Sequence, residues 1–146
     1  MRQFMTCKGY ENDQVELPKR STKFSAGYDF KSLEDHTILP GESYVFKTGI
    51  KAKMDSDDVL LLFIRSSLAI KKGLILANGV AVIDADYFEN PNNDGHIMIA
   101  IKNLSETPAT IQKGDKIAQG MFTKYEQVEN DECFAERIGG TGSTGR

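Results

Sequence analysis

Two acidic residues near the middle of the chain could carry out acid–base or metal chemistry. Asp84 and Asp86 lie in the segment Ile83-Asp84-Ala85-Asp86-Tyr87, at the end of an apolar stretch that begins at Gly79. In an extended chain, residues two apart project to the same face, so the two carboxylates would lie close together. Paired carboxylates can bind a metal ion or shift each other's proton affinity. The alternative interpretation is a strand that ends in solvated acids.

A second segment, Ile64-Arg65-Ser66-Ser67-Leu68-Ala69, combines a fixed positive charge with two hydroxyls. The guanidinium of Arg65 suits phosphate oxygens, and the backbone N–H groups at the start of a helix favour anions. The pattern therefore indicates a phosphate site. Ser66 and Ser67 could equally cap a short helix. We expect one or two helical turns over Ser67 to Lys72, ended by Gly73.

The C-terminal segment from Gly139 to Arg146 contains four glycines among eight residues. Backbone amides freed by glycine can turn around an anion, and Ser143, Thr144 and the preceding Arg137 add donors and charge. The segment does not match the phosphate loop of nucleotide-binding strand–loop–helix units, which requires lysine and then Ser or Thr after the last glycine. A flexible tail is the alternative that this composition allows.

Short strands are predicted to position these segments. Residues 44–52 alternate, with Tyr44, Phe46, Ile50 and Ala52 on one face and Lys47 and Lys51 on the other, which predicts a half-buried strand. The apolar run Val59–Ile64 predicts a strand buried on both faces. Further strands are predicted at Gly79–Ile83, Ile97–Ile101 and Ile117–Tyr125. Residues 121–138 allow either a surface helix or an irregular acidic tail. Many short strands separated by turns favour an all-β sandwich or barrel.

The composition argues against several classes of protein. The 146 residues suit one domain, and a net charge of −3 provides no basic field for direct nucleic-acid binding. No apolar run approaches the roughly 18 residues that a membrane span needs. The N-terminus lacks the apolar region of a secretory signal, and Cys7 and Cys133 have no metal or redox spacing. We therefore expect a reduced, cytoplasmic, single-domain protein without membrane contact.

Taken in order, five segments resemble the five motifs of the trimeric dUTP pyrophosphatase (dUTPase) family. They are AGYDF at 26–30, RSSLA at 65–69, GVAVIDADY at 79–87, GDKIAQ at 114–119 and RIGGTGSTG at 137–145. The resemblance spans nearly the whole chain, with family-like spacings. It implies a jelly-roll-like β-barrel assembled as a homotrimer with shared active sites. It also implies hydrolysis of dUTP to dUMP and pyrophosphate with Mg²⁺ as cofactor.

The resemblance further implies roles for individual residues. Asp84 matches the aspartate that binds the deoxyribose 3′-hydroxyl and activates the attacking water, and Tyr87 matches the tyrosine that packs under the deoxyribose. Asp29 matches the acid that holds water ligands of the magnesium ion. Asn78, with Gly79 beside it, matches a position that reads uracil. Residues 137–146 match the flexible tail that closes over the phosphates. The residues matched to phosphate binding, within this tail and elsewhere, are Arg65, Ser66, Ser67, Gln119, Arg137, Gly140, Gly142, Ser143 and Thr144.

The most important of three departures from the family pattern is at Thr141; the others are Ile64, where many members have proline, and a spacing one residue shorter between Arg137 and Gly140. Thr141 stands where most members of that family have a phenylalanine that stacks on uracil. Phe88 is the first candidate for a substitute stacking ring because it follows Tyr87 directly. Phe122 and Phe134 are the next candidates.

Two other functions are compatible with parts of this pattern. A dCTP deaminase has a similar fold and an RSS-like segment, but the IDADY sequence and the GSTG tail favour the hydrolase. A non-catalytic, nucleotide-gated trimer that binds a regulatory protein partner is the alternative from a different class. The presence of Asp84, Asp29 and Arg65 argues for catalysis.

Overall fold

Strands dominate this computed structural model, which describes residues 1–140 and residue 142. Thr141, Ser143 and Thr144, to which the resemblance assigned positions or roles, therefore lie outside the described residues. The described part contains one α-helix, α1 (Ser66–Lys72), and a 3₁₀ helix, Ala85–Tyr87. Its strands are β1 (Gln3–Thr6), β2 (Lys19–Arg20), β3 (Tyr28–Lys31), β4 (His36–Ile38), β5 (Ser43–Lys53), β6 (Asp58–Ile64), β7 (Leu74–Leu76), β8 (Ala81–Asp84), β9 (Ile97–Asn103), β10 (Ala109–Ile111) and β11 (Lys116–Lys124).

The strands form two larger sheets that contribute to one core. Within the described residues, one sheet has the order β1-β5-β9-β7, the other has the order β2-β3-β11-β6-β8, and β10 pairs with β4. Strand β9 illustrates the pattern, because Ile97, Ile99 and Ile101 are buried while Met98 between them is exposed. Such alternation buries one face of a sheet and leaves the other in solvent. The prediction of an all-β, jelly-roll-like fold is confirmed.

Most predicted elements lie where the sequence placed them, with two differences of detail. Strands β5, β6, β9 and β11 cover the predicted segments, and α1 ends at Gly73, whose φ of 66° closes the helix. Strand β8, however, begins at Ala81 and not at Gly79, because Gly79 has a φ of 72° in a turn. Neither Ser66 nor Ser67 caps α1, since the N-cap residue is Arg65.

Lys51 is buried, although the alternation of β5 predicted it on the solvent face. The alternation itself continues through the register shift between Lys47 and Ile50, since Phe46, Ile50 and Ala52 are all buried, but the opposite face of the strand is also covered at Lys51. The Lys51 ammonium donates hydrogen bonds to Glu89 Oε1 at 2.8 Å and to Asp94 Oδ2 at 3.0 Å. Burial alone would lower the pKa of Lys51, but these two carboxylates outweigh it and raise that pKa above its usual value. The buried ion pairs therefore hold the segment that follows Tyr87 against β5.

The buried side chain of His96 accepts hydrogen bonds from the backbone of β5. Its Nε2 accepts from Thr48 N at 3.3 Å and from Gly49 N at 2.9 Å, at the register shift of β5. Burial lowers the pKa of His96, the charge of Lys47 lowers it further, and Asp94 only partly opposes this. A protonated Nε2 could accept neither bond, so the folded state requires neutral His96.

We therefore expect the free energy of unfolding to decrease as pH falls below about 6.5, the pKa of an unfolded-chain histidine. In this range the unfolded chain binds a proton that folded His96 does not. Urea unfolding at several values between about pH 5.5 and 7.5 measures the slope. His96→Gln should flatten this slope, whereas His36→Gln, at a half-buried position beside Glu42, serves as the control. An unchanged slope in His96→Gln would show that another group is responsible.

The C-terminal part is irregular after β11, as one of the two interpretations of residues 121–138 predicted. Residues 125–140 contain no helix or strand, and Phe134 and Ile138 are exposed. Over residues 1–140 and 142, no helix combines the length and the apolar character that crossing a bilayer demands.

Candidate active site

A pocket of about 580 Å³ opens where the chain crosses from one sheet to the other. β7 pairs with β9 in the first sheet and β8 pairs with β6 in the second, so residues 77–80 connect the two sheets. The polar groups at the pocket come from Asn78, Asp84, Tyr87 and Arg137, while its walls are apolar. The apolar lining residues include Leu76, Ala81, Ile83, Met98, Ile99 and Ala100. Such a pocket suits a flat ring with a few polar edges.

Asp84 lies at the mouth of this pocket, at the last position of β8. The chain then turns into the 3₁₀ helix, so Asp84 and Asp86 do not follow the extended geometry that predicted a shared face. Both carboxylates nevertheless contact one guanidinium. Arg137 donates from Nη2 to Asp84 Oδ2 and from Nε to Asp86 Oδ1, each at 2.6 Å. A second pocket, of about 620 Å³, lies beside the same three residues.

Arg137 reaches this position from the irregular C-terminal segment of the same chain. The hydrogen bond to Asp86 contributes most to raising the pKa of Arg137, and burial only partly opposes it. The guanidinium therefore remains charged beside two carboxylates. Arg137, the residue matched to phosphate binding, therefore lines the pocket together with Asp84.

Tyr87 forms a wall of the pocket, and its hydroxyl is fully engaged. The hydroxyl donates to His96 O at 2.7 Å and accepts from Asn93 Nδ2 at 2.8 Å. Burial is the main cause that raises the pKa of Tyr87, so the phenol is neutral at physiological pH. Gly140 packs against the ring, since a Cβ there would lie 2.9 Å from Tyr87 Cε2. Gly142 has a φ of 74°, which favours glycine.

A second polar cluster surrounds Asp29 on β3. Its carboxylate accepts from Ser21 Oγ at 2.6 Å and lies 3.2 Å from Lys116 Nζ and 3.4 Å from Arg65 Nε. Burial by itself would raise the pKa of Asp29, but the hydrogen bonds from Ser21 and Lys116 and the charge of Arg65 together lower it. Asp29 is therefore a stable anion within a cationic surface.

The other predicted phosphate-side residues lie near this second cluster. Gln119 is opposite Asp29 in the β3–β11 ladder. A Cβ on Gly27, which directly precedes β3, would come within 2.6 Å of Gln119 Oε1, so the Gln119 side chain lies directly against Gly27. Ser66 and Ser67 are exposed at the start of α1, next to Arg65.

The two clusters lie towards opposite ends of β6 within one chain. Asp84 is opposite Val59 near the start of the strand, while Arg65 follows Ile64 at its end. Val59 and Ile64 are five steps apart along the strand, which at about 3.3 Å for each step is about 17 Å. One chain therefore brings Asn78, Asp84, Tyr87 and Arg137 together, and Asp29, Arg65 and Gln119 together, but does not join the two groups.

The three candidate stacking rings occupy different surroundings. The ring of Phe88 lies 5.3 Å from Lys51 Nζ, and Phe122 packs against Phe4 at a ring-centroid distance of 5.4 Å. Phe134 is 87% exposed on the C-terminal segment. None of the three is among the described residues that line the pocket. The residue that stacks on a base therefore stays a prediction.

Sequence reasoning missed several contacts of the site residues. Lys116 lies inside the fourth motif, and its positive charge there could have indicated a role beside an anion. Ser21 and Asn93 gave no comparable signal. Each lies in a loop, and its contact with Asp29 or Tyr87 depends on how that loop folds. Asn93 lies in a segment rich in turn residues, a composition that indicates a loop but not its contacts.

Three comparisons with known proteins agree with this geometry. The dUTPase family model matches residues 13–145. Deoxyuridine 5′-triphosphate nucleotidohydrolase of Lactococcus lactis is 42% identical over 147 residues, covering 99% of this chain and 98% of the relative. The crystal structure of dUTPase from Streptococcus mutans superimposes with a TM-score of 0.81 at 41% identity, covering 87% of this chain and 98% of that one.

A more distant structure, the dUTPase of Staphylococcus bacteriophage 80alpha, has a TM-score of 0.74 at 24% identity. It covers 91% of this chain and 96% of its own, and at that identity it supports the fold alone. The family model, by contrast, covers most of the chain, and the Lactococcus relative matches almost its whole length. The matched residues 13–145 include every segment that builds the pocket and the Asp29 cluster, and we conclude that the chain belongs to the dUTPase family.

Proposed function

We propose that this protein hydrolyses dUTP to dUMP and pyrophosphate. The observation that carries the proposal is the pocket in which Asn78, Asp84 and Tyr87 meet, in a chain of the dUTPase family. The apolar walls suit a pyrimidine ring, and polar groups at Asn78 can pair with its edge. A buried polar group left unpaired by the wrong base is costly, which gives such a site selectivity.

Asp84 acts as the base in this proposal. Its carboxylate accepts a proton from the water that attacks the α-phosphorus, and pyrophosphate leaves on the opposite side. Arg137 now contacts Asp84 and Asp86, and it can exchange these exposed carboxylates for phosphate oxygens of the substrate. That exchange would free the Asp84 carboxylate to bind the water.

The residues around Asp29 fit a magnesium ion bound through water. Mg²⁺ keeps several water ligands and takes few carboxylates together with substrate phosphates. Asp29 offers one anionic carboxylate. The phosphates would contact the residues predicted to bind them, Arg65, Ser66, Ser67 and Gln119. When bound, Mg²⁺ would neutralise phosphate charge and orient the triphosphate.

We also propose that the protein works as a homotrimer of single-domain chains with shared active sites. The separation of about 17 Å between the two clusters supports this, because both must act on one triphosphate. A site completed by another copy joins the Asp84 pocket of one chain to the Arg65 cluster of a neighbour. The tail of residues 137–146 is proposed to contact the phosphates in the same assembly.

Pyrophosphate release from dUTP, UTP, dCTP and dTTP, each with and without Mg²⁺, tests the proposed function. We expect release from dUTP in the presence of Mg²⁺ and much slower release from the other three nucleotides. Ammonia release from dCTP would instead identify a deaminase of the same fold. No turnover of dUTP under any of these conditions would contradict the proposal.

A further inference from the structure

The loop of residues 88–95 has no role in the proposed reaction, yet it forms the surroundings of Tyr87. This asparagine loop connects the 3₁₀ helix to β9. Two of its members, Asn90 and Asn93, contact Tyr87 at opposite ends. Asn90 Nδ2 donates to Tyr87 O at 2.7 Å, and Asn93 Nδ2 donates to the Tyr87 hydroxyl at 2.8 Å.

The hydrogen-bond network determines the orientation of the Asn93 amide. Asn93 Oδ1 accepts from Asn90 Nδ2 at 2.8 Å and from Gly95 N at 3.1 Å. Since Gly95 N can only donate, the carbonyl oxygen of Asn93 must face it, and Nδ2 must face Tyr87. The Tyr87 hydroxyl then has one direction left for its proton, towards His96 O. Each member of the network is therefore satisfied in only one arrangement.

The loop itself is attached firmly to the rest of the fold. Asn90 is 5% exposed, and its Oδ1 accepts from Asn92 N and Asn93 N, each at 3.1 Å. Asp94 accepts from Lys8 N at 2.9 Å as well as from the buried ammonium of Lys51. A Cβ on Gly95 would lie 2.7 Å from Tyr87 O, so glycine permits this close approach. The loop is a rigid support for the tyrosine.

We propose that Asn93 is a positioning residue that sets the selection of deoxyribose over ribose by holding the ring of Tyr87 in place. The inference rests on the proposed function, in which Tyr87 packs against the sugar. A ring held only by packing could move by a few tenths of an ångström and admit a 2′-hydroxyl. The Tyr87 hydroxyl is hydrogen-bonded both to Asn93 and to His96 O, just before β9, so its ring moves less easily.

The test compares kcat/KM for dUTP and UTP in the parent, Asn93→Ala, Tyr87→Phe and the double variant. Tyr87→Phe keeps the ring and every bond within the loop but removes the hydroxyl that Asn93 holds. We expect both single variants to lower the dUTP/UTP ratio by roughly three- to tenfold, mainly through faster UTP hydrolysis. The double variant should match Tyr87→Phe, because Asn93 acts through that hydroxyl. Tyr87→Ala sets the upper limit, with a loss of about tenfold or more.

The dUTP/UTP ratio, a control variant and the activity of the parent separate this inference from structural damage and from failure of the proposed function. A general loss of folding lowers kcat/KM for both nucleotides together and leaves the ratio unchanged. Asn92→Ala, in the same loop but bonded to Asn90 through its backbone, should retain the parent ratio. If the parent does not hydrolyse dUTP, the proposed function fails before the variants are compared.

With an active parent, a result from either single variant or from the double variant could overturn the role of Asn93. One such result is a parent-like ratio in Tyr87→Phe, which would mean that ring packing alone selects the sugar; this variant decides the matter even if Asn93→Ala does not fold. The others are a folded Asn93→Ala variant whose ratio is unchanged, and a double variant in which the effect of Asn93→Ala adds in full to that of Tyr87→Phe.

Discussion

Asp84→Asn is expected to lose most dUTP turnover while it still folds and binds the nucleotide. An amide of nearly the same shape cannot accept the proton of the attacking water, and general-base catalysis contributes about 10²- to 10⁴-fold. Pyrophosphate release measures the loss, and titration with a non-hydrolysable dUTP analogue measures the retained binding. The loss should appear in kcat more than in affinity, because the amide oxygen of the variant can still accept a hydrogen bond from the deoxyribose 3′-hydroxyl but cannot take a proton from water.

Asp86→Asn is the matched control for this prediction. It makes the same change two residues away and removes the other ion pair of Arg137, in which the Asp86 side chain is 58% exposed. Exposed ion pairs contribute little, so we expect a much smaller effect. If Asp84→Asn turned over dUTP near the parent rate, or if Asp86→Asn were the more damaging change, Asp84 would not be the base.

Mixing two inactive variants is expected to restore activity. In a shared site, an Asp84→Asn chain still supplies Arg65, and an Arg65→Ala chain still supplies Asp84. Unfolding the two together in equal amounts and refolding them should return roughly a quarter of the parent activity, by random assortment of chains around a closed trimer. Light scattering should give a mass near three times 16.2 kDa.

A mixture in which no intact site can form provides the control. Refolding Asp84→Asn with the double variant Asp84→Asn/Arg65→Ala leaves every site without the carboxylate and should remain inactive. An active monomer would refute the shared site, as would a 1:1 mixture of the single variants that refolds to trimers without regaining turnover. The separation of the two clusters along β6 would then have to be bridged by a rearrangement within one chain.

The sequence was sufficient for features that depend on local pattern. Alternation within 44–52 and at Ile97, Ile99 and Ile101 predicted β5 and β9, because a strand with one buried face carries its own period of two. Gly73 marked the end of α1, since only glycine readily adopts the left-handed conformation there. The five motifs identified the family and the candidate site residues, because their order and spacing are themselves properties of the sequence.

Tertiary structure decided the features that depend on register and on contacts between distant segments. The segment that carries Glu89 and Asp94 covers Lys51 and places it in the interior, and alternation along β5 alone could not reveal it. The pairing of Asp84 with Val59 separated the carboxylate from Arg65. The hydrogen bond from Asn93 to Tyr87 depends on how the asparagine loop folds back over the ring. Residue types fix which groups can react, but distances between them arise only when strands pair, because each pairing sets the position of every side chain along it.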